Sequence, residues 1–371
     1  MVAGLFAVGA PVTVASVDAA QHIVFDVGGT QLRAARWDAE SAWLSPPHVV
    51  PAPSYIRYPD LSWLDLRGRL VAEMSALRAA LDPAGQAGSV MVAFPGPVDQ
   101  QERVLAAPTL WANGGPYPYA LADDLRNAWP GTSVHVLNDV AAAGYRYMRD
   151  EADAFCIVTV STGIGNKVFV GGRPFVGPRA RGGEIGHVVV DPSPDAPACD
   201  CGGQGHLGAF ASGRGLLQRA REEAERSPEA FRRSILVRDV GLEPSGLTAE
   251  ALARAYRVED DWATQRVNQG ANALAGVLAT IHLAIGVERF VLIGGFALGL
   301  GRRFADTVCA MIDARCWRGS TRTVSVALGE DDGRCVLIGA GRAASLGMPP
   351  REAAGFDARP SAGEGEATPR V

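Results

Sequence analysis

Apolar residues along the chain fall into short continuous runs, most of which end at a glycine pair or a polar cluster, as at residues 22–30 and 290–295. Runs of this length with turn residues at their ends are typical of buried strands. Longer amphipathic stretches separate them, and residues 61–81 form the clearest predicted helix. Its apolar positions near helical spacing are Leu64, Val71, Met74, Leu77 and Leu81. The alternation predicts an α/β architecture with mixed sheets.

One strand pattern occurs twice. Residues 22–27 lead into Gly28-Gly29-Thr30 and a second short strand, and residues 155–160 lead into 161–165 and another short strand. The repeat predicts an internal duplication whose glycine turns face each other across a cleft. Backbone amides at an open glycine turn approach a phosphate closely, although a plain hairpin is the more frequent explanation of one such pair. Asp26, at the end of the first strand, is placed to hold Mg²⁺ or a water bound to it.

Asn138 and Asp139 follow another apolar run, residues 134–137, and precede a predicted helix over 140–147. A carboxylate at such a position often serves only as a helix N-cap. In a cleft, the same Asp139 accepts a proton from a substrate hydroxyl while Asn138 orients that hydroxyl. The residues alone leave both interpretations open.

A third glycine pair, Gly294-Gly295, follows the apolar run 290–293. Its backbone is free to approach a nucleotide base or ribose. It is not a dinucleotide fingerprint, because no third glycine follows at the required spacing. Residues 335–346, rich in alanine, glycine and leucine, are predicted to form a closing helix.

The segment 182–210 concentrates metal-binding side chains. Its potential ligands are two imidazoles and two thiolates, His187, Cys199, Cys201 and His206. This set suffices for a tetrahedral zinc site, and the glycines at 202, 203 and 205 let the loop turn back tightly. The alternative is two incidental cysteines in a surface loop beside two unrelated histidines.

The same segment is also expected to line a binding site. Val188-Val189-Val190 is predicted to be an apolar strand. Glu184 and His187 come just before it, at a position where side chains can face a cleft. One segment therefore combines a candidate metal centre with candidate substrate contacts.

Length and charge narrow the function. The 371 residues suffice for two domains, and 47% hydrophobic with 20% charged residues describes an ordinary globular protein. A net charge of −5 without a basic run offers nucleic acid no electrostatic footprint. No apolar stretch reaches the roughly 18 residues of a membrane span, and the cysteine usage fits a reducing compartment, the cytoplasm. Residues 1–20, which lack a signal peptide's basic start, and 348–371 are predicted to be disordered.

The basic residues are almost all arginines, and Lys167 is the chain's only lysine. It follows the second glycine turn, so one interpretation places it near the transferred phosphate. A solvated surface lysine is the more frequent case.

Together these motifs resemble the ROK family (repressors, open reading frames and sugar kinases) over roughly residues 22–346. The matching motifs are Asp26-x-Gly28-Gly29-Thr30, Pro95-Gly96-Pro97-Val98-Asp99, Asn138-Asp139, Ser161-Thr162-Gly163-Ile164-Gly165, Gly183-Glu184-Ile185-Gly186-His187, Cys199-x-Cys201-Gly202-x-x-Gly205 and Gly294-Gly295. Their combination is highly specific. The resemblance implies an α/β protein of two duplicated actin-like (ribonuclease H-like) domains, with ATP and a sugar in the cleft between them.

The resemblance also implies domain boundaries. A small N-terminal domain is expected over 21–139 and a large C-terminal domain with the zinc loop over 140–333. A closing helix over 334–347 is expected to pack back on the small domain. Similar proteins are usually homodimers, so a homodimer without nucleic-acid or membrane partners is expected.

The roles of family residues transfer by motif. Asp139 resembles the general base of an ATP- and Mg²⁺-dependent sugar kinase. The residues that resemble acceptor contacts are Asn138, Asp139, Glu184, His187 and Thr109. The residues that resemble ATP contacts are Asp26, Gly28, Gly29, Thr30, Thr162, Gly163, Gly165, Gly294 and Gly295. The residues expected to hold a structural Zn²⁺ are His187, Cys199, Cys201 and His206, so that His187 would use its second ring nitrogen for substrate.

The chain departs from the family pattern mainly on the acceptor side. His206 replaces a third cysteine and Gly208 replaces a glutamate that binds sugar hydroxyls. Thr109 stands at a usual asparagine position, and Asn166-Lys167 stands where glycine is common. We therefore expect an active kinase whose acceptor is an amino sugar such as kanosamine or a valiolone-type C7 cyclitol of secondary metabolism.

Other functions remain as alternatives. A glucokinase or an N-acetylhexosamine kinase would use the same phosphate-transfer residues. Repressors of the family carry an N-terminal helix-turn-helix domain, for which about 20 residues before the first strand are too few. A non-catalytic sugar-binding regulator is disfavoured because Asn138-Asp139 is intact.

Overall fold

The computed structural model describes residues 20–112, 114–177, 182–316, 324–330 and 332–347. The two extensions that the sequence predicts to be disordered, 1–20 and 348–371, lie outside this described part except for residue 20. Among the helices described, none is long and apolar enough to cross a membrane.

The strands form two sheets. They are β1 (Gln21–Val27), β2 (Gln31–Asp38), β3 (Trp43–Leu44), β4 (His48–Pro51), β5 (Ser89–Phe94), β6 (Ser133–Asn138), β7 (Phe155–Val160), β8 (Ile164–Val170), β9 (Arg173–Phe175), β10 (Arg289–Ile293) and β11 (Ser325–Leu328). The first sheet has the order β3-β2-β1-β5-β6, with β4 also paired to β2, and the second has the order β9-β8-β7-β10-β11.

The two sheets follow one plan. Each starts with an antiparallel hairpin, β1–β2 or β7–β8. Two further strands then add in parallel on the other side of the hairpin's first strand, β5 and β6 in one sheet and β10 and β11 in the other. Identical strand order in both halves confirms the predicted duplication and the α/β class.

Helices cover both sheets and lie between them. They are α1 (Trp63–Leu81), α2 (Pro108–Trp111), α3 (Leu121–Ala128), α4 (Asp139–Tyr147), α5 (Leu207–Ala211), α6 (Gly213–Arg226), α7 (Pro228–Phe231), α8 (Leu236–Val240), α9 (Ala249–Arg257), α10 (Asp261–Ile285), α11 (Gly295–Leu300), α12 (Arg302–Asp313) and α13 (Cys335–Ser345). α1 and α3 pack on the outer face of the first sheet, and α5 to α12 contribute to the core on the outer face of the second. A third core joins the inner faces of both sheets through α4 and α13.

α1 illustrates how local sequence sets an element. Ser62 caps its N-terminus, because the Ser62 hydroxyl accepts a hydrogen bond from the Asp65 N–H and the Asp65 carboxylate accepts one from the Ser62 N–H. The buried face consists of Leu66, Leu70, Met74, Leu77 and Leu81. The expectation that Leu64 belongs to this face is wrong: Leu64 is 62% exposed, because Leu66 and Leu70 define a stripe rotated away from it.

α13 and α4 pack closely in the middle layer. A Cβ atom added to Gly339 would lie 1.9 Å from the Ala142 carbonyl oxygen, so only glycine permits this approach. α13 also reaches the first sheet, where the Trp37 indole N–H donates to the Ser345 hydroxyl at 2.8 Å. The boundaries 21–139, 140–333 and 334–347 stay a prediction.

The predicted apolar strand at residues 188–190 is wrong. A short 3-10 helix, Ile185–His187, precedes it, and Val188 and Val189 are 42% and 53% exposed. The segment lies beside the loop that carries the cysteines, so its hydrogen bonds go to that loop: the Val190 N–H donates to the Gly205 carbonyl at 2.8 Å and the Leu207 N–H donates to the Val188 carbonyl at 2.9 Å. Apolar composition alone therefore misled the strand prediction.

Candidate active site and metal centre

Asp139 is the first residue of α4 and directly follows β6. Its Oδ1 accepts hydrogen bonds from the Val140 N–H at 2.8 Å and the Asn138 side-chain amide at 2.9 Å. Asn138 is the N-cap residue, since its own side-chain oxygen accepts from the Val140 and Ala141 N–H groups at 3.1 Å each. Capping therefore falls to Asn138, and Asp139 places a half-buried carboxylate at the start of α4.

The electrostatic surroundings of Asp139 suit a base. Burial and the neighbouring Asp26 carboxylate raise the pKa of Asp139 to about 6, against the opposing effects of its hydrogen bonds and of Lys167. A carboxylate with a pKa near neutrality is ionised at pH 7 and is a stronger base than an ordinary aspartate. The geometry thus supplies a proton acceptor at the point where β6 meets α4.

The first glycine turn joins β1 to β2. The Gly28 N–H donates to the Gln31 carbonyl at 2.8 Å, which closes the turn. Asp26 is buried beneath it and forms an ion pair with Arg33 at 2.5 Å, while Thr30 is exposed. Thr109, on α2, packs against Gly29, where an added Cβ atom would lie 3.0 Å from the Thr109 carbonyl oxygen.

The second glycine turn joins β7 to β8. The Ser161 N–H donates to the Gly163 carbonyl at 2.9 Å, and both Thr162 and Gly163 are exposed. Gly165 packs against Thr159 and Val140, where Val140 is the residue after the candidate base. The turn therefore presents an open backbone beside the N-terminus of α4.

The third glycine pair lies beside the second turn. Gly294 has φ +95° and approaches the Val160 carbonyl so closely that an added Cβ atom would lie 2.7 Å from it. Gly295 starts α11 and faces open space. The fold thus brings Gly294-Gly295 next to Ser161–Gly165, although they are about 130 residues apart in the chain.

Glu184 and His187 are exposed residues of the segment 182–187, and two buried residues of β8 hold that segment. The Asn166 N–H donates to the Gly183 carbonyl at 3.4 Å, and the Asn166 side-chain oxygen accepts from the Ile185 N–H at 3.3 Å. The Lys167 ammonium donates to the Gly182 carbonyl at 3.3 Å. The expectation of a solvated surface lysine is wrong, because Lys167 is 4% exposed.

Four side chains form a candidate metal centre. The ligand atoms of His187, Cys199, Cys201 and His206 all lie within 4.8 Å of one another. Cys199 Sγ is 3.9 Å from His187 Nδ1, and Cys201 Sγ is 3.2 Å from His206 Nδ1. These separations are close to those between the ligands of one tetrahedral zinc ion, and two thiolates with two imidazoles form a typical zinc donor set. The residues fit Zn²⁺.

Glycines make the metal loop possible. An added Cβ atom at Gly203 would lie 2.4 Å from the His206 ring, and one at Gly205, which has φ +68°, would lie 1.8 Å from the Asp191 carbonyl oxygen. Both positions therefore need glycine for His206 to turn toward the two cysteines. The sequence prediction of a tight return loop agrees with this geometry.

A cavity of about 710 Å³ connects the metal loop to the second glycine turn. Its lining includes Gly163, His187, Cys199, Gly208, Arg214 and Arg219. Gly208 leaves room here, since an added Cβ atom would meet only the Gly186 carbonyl, at 3.3 Å. The cavity thus extends from His187, a candidate acceptor contact, to Gly163 of the second glycine turn.

The structure gathers most of the residues that the sequence singles out. Asp26 and Lys167 each lie close enough to Asp139 to shift its pKa, and the Glu184 carboxylate acts on the pKa of Lys167. Asn138 is less available than expected, because its amide group already donates to the Gly96 carbonyl and to Asp139. Sequence reasoning missed Arg33, the partner of Asp26; its position opposite Asp26 in the β1–β2 ladder was the available signal.

Two duplicated sheets, with glycine turns grouped around a carboxylate at a strand end, define the actin-like class of α/β proteins. The sequence model of the ROK family matches residues 22–340. The chain belongs to the ROK family.

Curated relatives extend this assignment. A C(7)-cyclitol 7-kinase from Streptomyces hygroscopicus subsp. limoneus is 41% identical over 337 residues, which cover 88% of this chain and 95% of the relative. A 2-epi-5-epi-valiolone 7-kinase from Actinoplanes sp. is 34% identical over 222 residues, covering 56% of this chain and 59% of that protein.

Solved structures agree on the fold. The ROK hexokinase from Thermus thermophilus has 26% identity and a TM-score of 0.67, with 88% of this chain and 98% of that chain covered. A ROK family glucokinase from Streptomyces griseus, in complex with glucose and AMPPNP, has 24% identity and a TM-score of 0.66, with 86% and 98% covered. The predicted family and fold are confirmed.

Proposed function

We propose that the chain is a kinase that transfers a phosphoryl group from ATP to the primary hydroxyl of a C7 cyclitol. Membership of the ROK family and its kinase relatives make it an ATP-dependent carbohydrate kinase, a class that uses Mg²⁺. One observation carries the finer assignment: the 41% identity to the C(7)-cyclitol 7-kinase extends over 95% of that protein. Resemblance of this extent reaches both sheets and the metal loop.

The acceptor side supports a cyclitol. Gly208 provides no carboxylate to the cavity beside His187, where the family pattern has a glutamate that binds sugar hydroxyls. Glu184 and His187 remain exposed at the same end. An acceptor with a different pattern of ring hydroxyls from glucose therefore fits this site better.

The transfer needs positioning and charge neutralisation more than covalent chemistry. Asp139 accepts the proton of the primary hydroxyl while that oxygen attacks the terminal phosphorus, and the bond from this phosphorus to the bridging oxygen breaks so that ADP leaves. The backbone of Thr162, Gly163 and Gly165 approaches the phosphates from one side, and that of Gly28, Gly29 and Thr30 from the other. Mg²⁺, when bound to ATP, neutralises phosphate charge, and Asp26 is the nearest carboxylate on the first turn. Asp26 also forms an ion pair with Arg33, so the Arg33 guanidinium would compete with Mg²⁺ for the Asp26 carboxylate.

The remaining assignments follow the same geometry. Gly294-Gly295 lies next to the second turn and is proposed to approach the nucleoside. Asn138 and Thr109 border the acceptor end, Asn138 chiefly as the residue that fixes the start of α4. Zinc held by His187, Cys199, Cys201 and His206 would be structural, because protein ligands fill all four positions of a tetrahedron. It would order the segment that presents His187 to the acceptor.

Two kinds of acceptor compete with the cyclitol. Amino sugars such as kanosamine fit the loss of a carboxylate in the same way, and an N-acetylmannosamine kinase from Salmonella typhimurium is 29% identical over 293 residues. Glucose is the other kind, since a glucokinase from Aeropyrum pernix is 34% identical over 182 residues. A homodimer and a cytoplasmic location also stay predictions, which light scattering and cell fractionation would check.

An ADP-release assay with Mg²⁺ and ATP tests the proposal. The acceptors are valiolone-type C7 cyclitols, glucose, N-acetylmannosamine and kanosamine at equal concentrations. We expect the highest kcat/KM with a C7 cyclitol, and ³¹P–¹H correlation spectra of the product should place the phosphate on the C7 methylene oxygen.

Each alternative has its own result in this assay. Glucose as the best acceptor by a wide margin would assign a glucokinase and reject the cyclitol. Kanosamine as the best acceptor would assign an amino-sugar kinase. Ligand-induced stabilisation without turnover would indicate a binding protein or a donor other than ATP.

A further inference from the structure

Two buried residues of β8, Asn166 and Lys167, hold the segment that carries the proposed acceptor contacts. Their hydrogen bonds to Gly182, Gly183 and Ile185 span the residues on both sides of Glu184. The approach is close: an added Cβ atom at Gly183, which has φ +89°, would lie 2.4 Å from Lys167 Nζ. The proposed function gives these contacts no role so far, and the glycines typical of the family at this position could not form the side-chain contacts.

The Lys167 ammonium is in an unusual position. It is 4% exposed, and among the described residues its hydrogen bond goes to the Gly182 carbonyl. An ammonium group has three N–H donors, so a buried one with a single acceptor in the described part of the chain has donors left for another partner there. The carboxylates of Glu184 and Asp139 both act on it electrostatically. An acceptor hydroxyl bound beside these carboxylates would be a suitable partner for a remaining N–H donor.

We propose that Lys167 is a specificity-determining residue of the acceptor site, where its buried positive charge favours a neutral polyol and disfavours a protonated amino sugar. This inference rests on the proposed function, because it assumes that Glu184 and Asp139 face the acceptor. The charge of Lys167 would distinguish cyclitols from amino sugars, two acceptor classes that fit the absence of a carboxylate at Gly208 equally well. Lys167 also orients Glu184 through the 182–185 segment.

The physical reason is charge compensation. Lys167 is faced by Glu184, Asp139 and the buried thiol of Cys156. Asp139 is faced in turn by Asp26, whose charge Arg33 balances. Removing the lysine charge leaves a net negative acceptor site, which attracts a cationic amine and holds the proton of Asp139 more firmly.

The first experiment compares Lys167→Met, which keeps most of the side-chain volume, with Lys167→Arg, which keeps the charge. Both variants are assayed at pH 7 with a C7 cyclitol and with the matched acceptors kanosamine and glucose. In Lys167→Met we expect kcat/KM for the cyclitol to fall about tenfold, and the ratio of kanosamine to glucose activity to rise about tenfold. Lys167→Arg should keep the wild-type ratio.

The ratio of kanosamine to glucose activity distinguishes a change in specificity from a general loss of activity. A distorted active site would lose activity with both acceptors and leave the ratio unchanged. The acid limb of the pH profile should also move to higher pH in Lys167→Met and stay in place in Lys167→Arg. An unchanged ratio and an unchanged limb in Lys167→Met would overturn the proposal. If wild type phosphorylates none of the acceptors, the proposed function fails, and the second experiment still tests Lys167.

The second experiment uses the fact that Lys167 is the only lysine. Incorporation of [ε-¹³C]lysine gives one side-chain resonance that needs no assignment and whose titration reports the pKa of Lys167 in the wild-type fold. We expect Glu184→Gln and Asp139→Asn each to lower that pKa, because each removes a neighbouring negative charge. Asp306→Asn, at an exposed position of α12, is the matched control and should leave it unchanged. Titrations identical in all four proteins would show that the ammonium does not face the acceptor carboxylates, even if Lys167→Met fails to fold.

Discussion

The two hairpins of the duplicated halves share a backbone plan and differ in what surrounds their turns. In β1–β2 the chain itself encloses the turn: added Cβ atoms at Gly28 and Gly29 would lie 3.0 Å from the carbonyl oxygens of Gln31 and Thr109. In β7–β8 an added Cβ atom at Gly163 would meet no atom within 4 Å. Packing therefore disfavours a side chain at Gly28 and Gly29, whereas a methyl group at Gly163 would meet open space.

The cations near the two hairpins differ in the same way. Arg33 of the first hairpin is used within the protein, since it pairs with Asp26 and donates to the Gly333 carbonyl at 2.7 Å. Lys167 of the second hairpin donates to the Gly182 carbonyl, its one hydrogen-bond partner among the described residues, and the carboxylates of Glu184 and Asp139 act on it electrostatically. The two halves thus share their strand order, while the second half contains the more open turn and a buried lysine beside two carboxylates.

Asp139, at the junction of the halves, gives the largest expected effect. Asp26 from the first half and Lys167 from the second act on it in opposite directions. Asp139→Asn keeps the shape and the hydrogen bond from the Val140 N–H but removes the base, so kcat should fall by about two to four orders of magnitude. The measurement is ADP release with the best acceptor, with Asp306→Asn as the control. Wild-type turnover in Asp139→Asn would remove Asp139 from the mechanism.

The candidate metal centre, which lies in the second half of the chain, gives the next effect. We expect purified protein to contain one zinc per chain by mass spectrometry, and Cys201→Ser to lose it. Loss of a tightly bound ion should lower Tm by on the order of 10 °C, because the metal binds only the folded state. Cys316→Ser, a half-buried cysteine away from the centre, is the matched control. Equal Tm and zinc content in both variants would contradict a structural zinc site.

The pH dependence of activity tests whether Asp26, in the first half of the chain, and burial raise the pKa of Asp139. Burial and Asp26 raise the pKa of Asp139 to about 6, and the base works only when it is deprotonated. Activity should therefore rise with pH through about 6, with roughly a tenfold loss at pH 5 relative to pH 8. The profile of kcat/KM, with both substrates below saturation, reports this group in the free enzyme. A limb near pH 4 would mean that Asp139 is not desolvated as the structure indicates.

Sequence patterns predicted the fold better than the orientation of single side chains. Continuous apolar runs identified β1, β5, β7 and β10, because strands buried on both faces consist almost entirely of such residues. The prediction of a strand at 188–190 was wrong, since apolar composition does not reveal whether a sheet edge is available. The prediction that Leu64 lies on the buried face of α1 was wrong because a broad amphipathic pattern fits more than one helix face.

In the candidate site too, the sequence identified the residues better than it predicted the orientation of their side chains. The sequence motifs identified Asp139, both glycine turns and the four metal-binding side chains as candidate site residues. They did not reveal that Lys167 is buried. Strand alternation contained the missing signal, because Lys167 lies on the same face of β8 as Gly165 and Phe169, which pack toward α4. The Asp26–Arg33 pair likewise depends on register, which becomes certain only when the hairpin is seen.

A pair of alanine substitutions tests the hairpin comparison directly and has the smallest expected effect. Gly163→Ala meets open space and should leave Tm within a few degrees of wild type, whereas Gly29→Ala forces a shift against Thr109 and should lower Tm. If the second turn approaches the phosphates, Gly163→Ala should nevertheless raise KM for ATP several-fold, because the added methyl group occupies the space of the ligand.

The control is Gly68→Ala, at an exposed position of α1 with open space around it. Gly171→Ala would be a poor control, since that glycine has φ +61°. An unchanged KM for ATP in Gly163→Ala, together with an unchanged Tm in Gly29→Ala, would mean that the two turns do not differ in function. A raised KM without any loss of stability would instead show that the open turn is reserved for the nucleotide, which packing alone does not require.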